Sequence, residues 1–595
     1  MKRLILLLAA LLTVSFSAHA ENKVILSAMK DELARTMDTL KLENEAGPYY
    51  VSYILTDGYS LRITADSGAI TVNSENRNRR LRIDLRVGNY TLDNSNFVSL
   101  SGIAGAASNL SGTMIPLDDD YLVLRRQIWQ VTDRAYKSAL DTLTKKKAAL
   151  LNTVQAESLP DFSKGEPISS LQPENSFLVQ RQALSQLVEQ LCRAFLGQRN
   201  VQKSKVDLTV QIGNSYYVNS EGATVIEPSS ATQLMVSAGT QADDGMPLSN
   251  FRIFTAARPE GLPEKAKLDA ELKTMISELL AARAAPVAGE YSGPVLFESQ
   301  AAGELFSQGF GNLIGAKKPP VSDSPQLSAT LIRSENPFLN KIGMKVAANF
   351  LSLKAIPSRK DYGQSTLLGS YKIDEEGTPG RDVSLIENGI LKSLLTTRTP
   401  VKGIAQSNGH ARGGTAVPSV LQLSSTNKKT YQQLRQELVN AAREEGLEYG
   451  YLVRGITPVS EAMSDSDSLE SVLISQQSPP DSTQFRLTRP FCVYRVYPDG
   501  REEMVRGIEF GNISANALRN VVATSDEDIA YAFPVSGSNL LSGVSGLIML
   551  LGSSGGMSPG GYATVITPSL LMNEIELKKS RGQYPKLPIV SYPER

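Results

Sequence analysis

The sequence predicts an α+β protein in two parts: an N-terminal half with long helices beside a sheet, and a strand-rich C-terminal half. Three observations predict it. Alternating segments such as Tyr50–Leu55 and Leu81–Val87 read as strands with one face buried. Helical patterns fall near 23–45, 118–152, 177–196 and 264–284. Beyond 286–292, Gly- and Pro-rich turns separate many short strands, with one further clear helix near 430–445.

The first helix is set by Val24, Leu26, Met29, Leu33, Met37 and Leu40. The second opens on Asp118-Asp119-Asp120 and ends near Lys145-Lys146-Lys147, charges that suit the helix dipole. The lysine run reads as a solvated face. Residues 156–176 read as a loop, and strands are expected at 205–213, 215–218 and 230–238. A strand at Gly293–Glu298 leads into a helix over Ser299–Leu313. On that helix Leu305, Phe306, Phe310 and Leu313 share one arc, and Glu304, Gln308 and Asn312 share the other, as in an ordinary amphipathic helix.

Residues 1–20 read as a secretory signal. Lys2 and Arg3 precede an apolar run, Leu4–Leu12, and Ala18-His19-Ala20 suits cleavage before Glu21. Later apolar runs such as Val544–Leu551 are too short to span a bilayer, so no membrane span is expected after cleavage. The expectation is an exported protein, periplasmic in a bacterium. Lys plus Arg and Asp plus Glu number 61 each, which gives no electrostatic reason to expect nucleic acid. Cys192 and Cys492 are far apart and lack zinc-knuckle spacing; free cysteine is usually a small buried hydrophobe, and pairing in an oxidising compartment stays open. Ser27-Ala28-Met29-Lys30 matches S-x-x-K but has no K-T-G or S-D-N partner, so it is a chance match.

One string carries more than structure. Ile373-Asp374-Glu375-Glu376-Gly377-Thr378-Pro379-Gly380 reads as a strand end and turn, and Glu387-Asn388-Gly389 as a tight hairpin. Together they resemble the D-[DE]-E-G-x-P and L-I-E-x-G-x-L segments of the TldD/PmbA family, once called modulators of DNA gyrase. Asn408-Gly409-His410-Ala411-Arg412, Val505-Arg506-Gly507 and Pro568–Leu577 resemble further family segments in the same order. The resemblance implies a signal at 1–20, an N-terminal and central region over 21–285, and a metallopeptidase-type C-terminal domain over 286–595.

In the family's catalytic branch a helix bearing H-E-x-x-x-H and a late cysteine hold zinc. By this resemblance the six positions here read Ser307-Gln308-Gly309-Phe310-Gly311-Asn312, and the cysteine position reads Ser554. Neutral oxygen donors suit zinc poorly, and glutamine cannot act as a general base. After the leader the chain keeps one histidine, His410, which belongs to a different segment. The resemblance therefore implies no intact catalytic residue, no zinc and no other cofactor. It implies a subunit that binds extended or unfolded peptide, as a homodimer or paired with a zinc-bearing family member. Asn408, Gly409, His410 and Arg412 are the candidate peptide contacts. Two other readings stay open: a peptidase whose site a partner subunit completes, and a non-enzymatic envelope scaffold.

Overall fold

A computed structural model describes residues 24–99, 112–151, 159–324, 327–328, 336–462, 483–535, 561–580, 582, 584 and 588. The expected leader, the apolar run Val544–Leu551 and Ser554 lie outside the described residues.

The N-terminal part is built on a seven-stranded sheet whose long members are Ala69–Arg86, Tyr50–Asp66, Lys203–Asn219 and Thr224–Gln241, in that order and antiparallel. Residue parity decides its faces. Val51, Tyr53, Leu55, Leu61 and Ile63 of one strand, with Val206, Leu208, Val210 and Ile212 of its neighbour, point to the helical side. Helices 24–39 and Tyr121–Leu151 cover one end of that side; Arg181–Arg193 and Lys265–Ala284 cover the other. On the opposite side Ile54, Tyr217 and Val225 meet Ile373 from the C-terminal part.

The strands run longer than their sequence suggests. Asp57-Gly58 and Gly213-Asn214 look like turns, yet each lies inside a 17-residue strand. Gly58 pairs across to Gly213, and the Asp57 carboxylate is buried against Arg79 at 2.8 Å and Arg77 at 3.0 Å. Tertiary pairing thus overrides the local turn preference of Asp-Gly. The strands expected at 205–213 and 215–218 are one strand, Lys203–Asn219, and a further strand, Pro247–Ala256, gave no sequence signal. The lysine run is not wholly solvated either. Lys146 is buried, with Nζ 2.5 Å from Asp161 and within 3.0 Å of the Asp93 and Ser95 carbonyls.

The C-terminal part is a twelve-stranded mixed sheet centred on Tyr562–Lys579. That strand pairs with Tyr291–Phe297, Val420–Ser425 and Val521–Pro534. Alternation again sets two faces. Leu296, Leu452 and Leu571 pack on the helix Tyr431–Glu444, which starts at a Thr430/Gln433 capping box. Val295, Phe297, Val453, Leu570 and Met572 face the larger core, which also takes in Leu305, Phe306 and Phe310. The predicted hairpin forms at Asn388 and Gly389, both at positive φ. No helix among the described residues is long and apolar enough to cross a membrane.

Buried charge joins the two parts. Arg398 is 2% exposed, reaches Glu221 at 2.6 Å, donates to the Ser163 carbonyl at 2.7 Å, and lies 4.0 Å over the Phe162 ring. Arg82 of the N-terminal sheet pairs with Glu375. Removing one partner of a buried pair leaves a charge without compensation, at a cost of roughly 3–5 kcal/mol. Arg398→Met is therefore expected to lose about that much stability in urea unfolding. Adding Glu221→Gln should restore most of the loss; a double variant no better than the single would refute the pairing argument.

Candidate functional site

The helix 300–313 begins after Ser299 and runs as α-helix over Gln300–Leu305. It then makes a π turn at Phe306–Phe310 and closes with Gly311–Leu313. The π turn is closed by the Gly311 N–H donating to the Phe306 carbonyl. That carbonyl would stand 2.5 Å from any Cβ at 311, so glycine is required there. In an α-helix, residues five apart diverge by about 140°. A π turn narrows that gap for the spacing shared by Ser307 and Asn312. π turns of this kind occur often at functional sites.

The two arcs expected on this helix do not divide core from solvent. Glu304 is 1% exposed, as deeply placed as Phe306 and Phe310. Its carboxylate accepts from the Tyr531 hydroxyl and, at 2.8 Å, from the Gln308 Nε2. Tyr531 can come this close because its ring lies on Gly303, where a Cβ would stand 2.4 Å from it. Gln300 holds the Ile456 backbone with both ends of its amide, each at 2.8 Å. Gln308 donates also to the Thr457 carbonyl at 3.0 Å and the Thr488 hydroxyl at 3.0 Å, and its Oε1 accepts from the Thr488 N–H at 2.9 Å. The stripe Gln300–Glu304–Gln308 is therefore an internal hydrogen-bonded seam. Burial pushes the Glu304 carboxyl up to about 7, against the lowering effect of its Tyr531, Gln308 and Ser307 donors.

Of the positions read from the resemblance, Ser307 and Gln308 are half-buried beside Glu304, and Asn312 is exposed. Ser307 and Asn312 offer neutral oxygens and the Gln308 amide is already engaged, so the described residues at these positions do not suit zinc. The sequence pattern places Glu304 on an ordinary polar helix face, and Tyr531, Thr457 and Thr488 carry no signal of their own. A signal existed for the first: Glu304 is a lone acid between Ala301-Ala302-Gly303 and Leu305-Phe306, four residues from a glutamine on each side.

The segment Asn408–Arg412 is spent on internal bonds. Asn408 accepts from the Thr396 N–H at 2.8 Å and donates to the Leu394 carbonyl at 2.8 Å. Gly409, at φ +77°, has the Pro379 carbonyl where a Cβ would go. Arg412 donates to the Tyr562 and Pro418 carbonyls. His410 is fully buried; its Nδ1 lies 3.1 Å from two oxygens of Asn408, which makes Nδ1 the protonated nitrogen. Burial depresses its pKa to about 4. The adjoining acids are equally committed: Asp374 accepts from the Ala411, Thr378 and Glu376 N–H groups, and Glu376 accepts from the Arg398 N–H. Burial and the neighbouring Glu376 push Asp374 up, whereas Arg82 holds Glu375 down despite burial. Both cysteines are free thiols.

Residues 288–456 match the family model described as the PmbA/TldA metallopeptidase C-terminal domain. The chain is 27% identical over 186 residues to a metalloprotease of Archaeoglobus fulgidus, covering 31% of this chain and 38% of the relative. It is 28% identical over 187 residues to a zinc metalloprotease TldD homologue of Saccharolobus solfataricus, covering 31% and 36%. These matches thus span little more than a third of the relatives' own length. The fold extends further. TldE from Thermococcus kodakarensis superposes with a TM-score of 0.54 at 14% identity, over 93% of this chain and 100% of that one. A Thermotoga maritima protein described as a modulator of a DNA gyrase does so with a TM-score of 0.55 at 15% identity, over 89% and 96%. Residues 288–456 thus match a PmbA/TldA-type C-terminal domain, and the chain as a whole shares the fold of the TldD/PmbA-like structures.

Two titrations test the site. Glu304 has its folded pKa raised above the unfolded value of 4.5, so its stabilisation is complete below pH 4.5 and lost as pH rises through about 7. Relative to wild type, Glu304→Gln should gain on the order of 3 kcal/mol between pH 4.5 and 8 in denaturant unfolding. A pH-independent difference would refute the buried-acid assignment. His410 works in the opposite direction: its stabilisation is present above 6.5 and lost as pH falls through about 4. A chain lacking residues 1–20 has this one histidine, so its imidazole NMR signal should stay neutral at pH 5.5; a midpoint near 6.5 would contradict its burial.

Proposed function

We propose that this chain is an exported, zinc-free peptide-binding member of the TldD/PmbA family, acting as a homodimer or as partner to a zinc-bearing relative. The observation that carries the zinc-free part is Gln308. It stands where the resemblance puts the general base, and a carboxamide cannot take a proton. Its amide is engaged on both atoms by Glu304, Thr457 and Thr488, so it supports structure rather than polarising water. Ser307 and Asn312 supply neutral oxygens where the catalytic branch has histidines.

Peptide binding is supported by the family resemblance and by the polar seam, which keeps the helix 300–313 in shape without a metal. Extended peptides can be held by backbone hydrogen bonds at a sheet edge, a mode that needs no catalytic group. Asn408, Gly409, His410 and Arg412 enter this reading as supports of their loop, because the Asn408 amide, the His410 Nδ1 and the terminal Arg412 nitrogens serve internal partners and all four side chains or backbones are turned inward. Export is supported by the charged start, apolar run and Ala-His-Ala of residues 1–20.

The test is elemental analysis of purified mature protein together with casein cleavage in the presence and absence of a chelator. The expected outcome is far less than one zinc per chain and no chelator-sensitive cleavage. One tightly bound zinc per chain would falsify the zinc-free reading.

A further inference from the structure

Gly309 lies in the π turn, among the positions where the resemblance puts the zinc motif, and it is covered by the chain itself. The Phe485 ring rests on it so closely that a Cβ at 309 would stand 2.2 Å from a ring carbon. The same ring meets Phe310 edge-on, with centroids 5.1 Å apart. Phe485 belongs to an extended segment, 483–489, held along both edges. On one edge Gln484 and Phe485 pair antiparallel with Ser514 and Ile513, and the Ala515 N–H donates to the Thr483 carbonyl at 2.7 Å. On the other, the Thr488 N–H donates to Gln308 at 2.9 Å, and the Thr457 N–H donates to the Arg489 carbonyl at 3.0 Å. Leu487 is buried in the core between these contacts.

Main-chain bonds along one edge, with alternate side chains seated in pockets, are how a sheet edge holds an extended peptide, and here Gln308 and Thr457 hold the second edge as well. The glutamine of the seam is one of the partners that holds this segment. We propose that residues 483–489 form an internal strap that occupies in cis a groove over Gln308–Phe310, and that the groove accepts in trans an extended peptide with an aromatic side chain seated on Gly309. The inference rests on the peptide-binding reading for its biological meaning, but the strap is testable without it. It narrows the substrate class to extended segments with an aromatic residue followed three positions later by a small hydroxyl residue, as Phe485 is followed by Thr488.

The experiment uses the mature full-length protein and a fluorescent peptide of sequence Thr-Gln-Phe-Arg-Leu-Thr-Arg, copied from 483–489. Phe485→Ala should loosen the strap and raise affinity for this peptide at least tenfold over wild type, measured by fluorescence anisotropy. The same peptide with alanine for phenylalanine should show no gain. Gly309→Ala added to Phe485→Ala should abolish it, because the new methyl takes the ring's seat. Phe485→Leu replaces Phe485→Ala if the latter lacks a cooperative thermal melt. A folded variant that binds the peptide no better than wild type overturns the strap. Reduced, carboxymethylated lactalbumin separates the two ideas. If the variant gains the strap peptide but neither protein binds lactalbumin, the strap stands and the peptide-capture function falls. If wild type binds lactalbumin and the variant adds nothing for either ligand, the function stands and the strap falls.

Discussion

A carboxyl group inside an apolar helix-on-sheet core must find donors or stay protonated, and the C-terminal part is arranged around that requirement. Glu304 takes the Tyr531 hydroxyl on one side and the Gln308 amide on the other. To admit Tyr531 the helix needs glycine at 303, and to hold Gln308 the chain brings Thr457 and Thr488 to it. Gln300 extends the seam to Ile456. Four separate segments, 300–308, 456–457, 488 and 531, are thereby fixed to one another by polar contacts within an otherwise apolar core.

This seam holds the helix 300–313 in shape through the side chains of Glu304 and Gln308, with no need of a bound ion. A half-satisfied polar network inside a core is worse than none, so a buried Gln308 without partners would destabilise the helix. Here each amide atom of Gln308 has a partner. The second anchor is the charged junction at Arg398, Glu221, Arg82 and Glu375, which ties the acidic turn 374–376 to the N-terminal sheet. A string that reads locally as a turn is thus a fastening between two sheets.

Legibility followed the range of the interaction. The helices at 121–151, 181–193, 265–284 and 431–444 were readable because periodicity and capping are local. The Asn388-Gly389 hairpin was readable because positive φ is a property of the residues themselves. The 17-residue strands were read short, because Asp57-Gly58 and Gly213-Asn214 prefer turns until they face each other across the sheet. Lys146 was read as solvated because nothing local announces Asp161, fifteen residues on, as its partner.

By itself, the sequence determined the α+β class, the family resemblance, the residue types at positions 307, 308 and 312 and the presence of a single histidine after residue 20. These are properties of residue type and order, and no folding is needed to read them. Only the tertiary structure decided that Glu304 is an internal acid rather than part of a wet helix face, that Asn408–Arg412 turn their polar atoms inward, and that Phe485 covers Gly309. Each of those depends on a partner distant along the chain: 227 residues separate Tyr531 from Glu304. Burial and hydrogen-bond satisfaction are decided by what folding brings alongside, and a linear pattern carries no record of it.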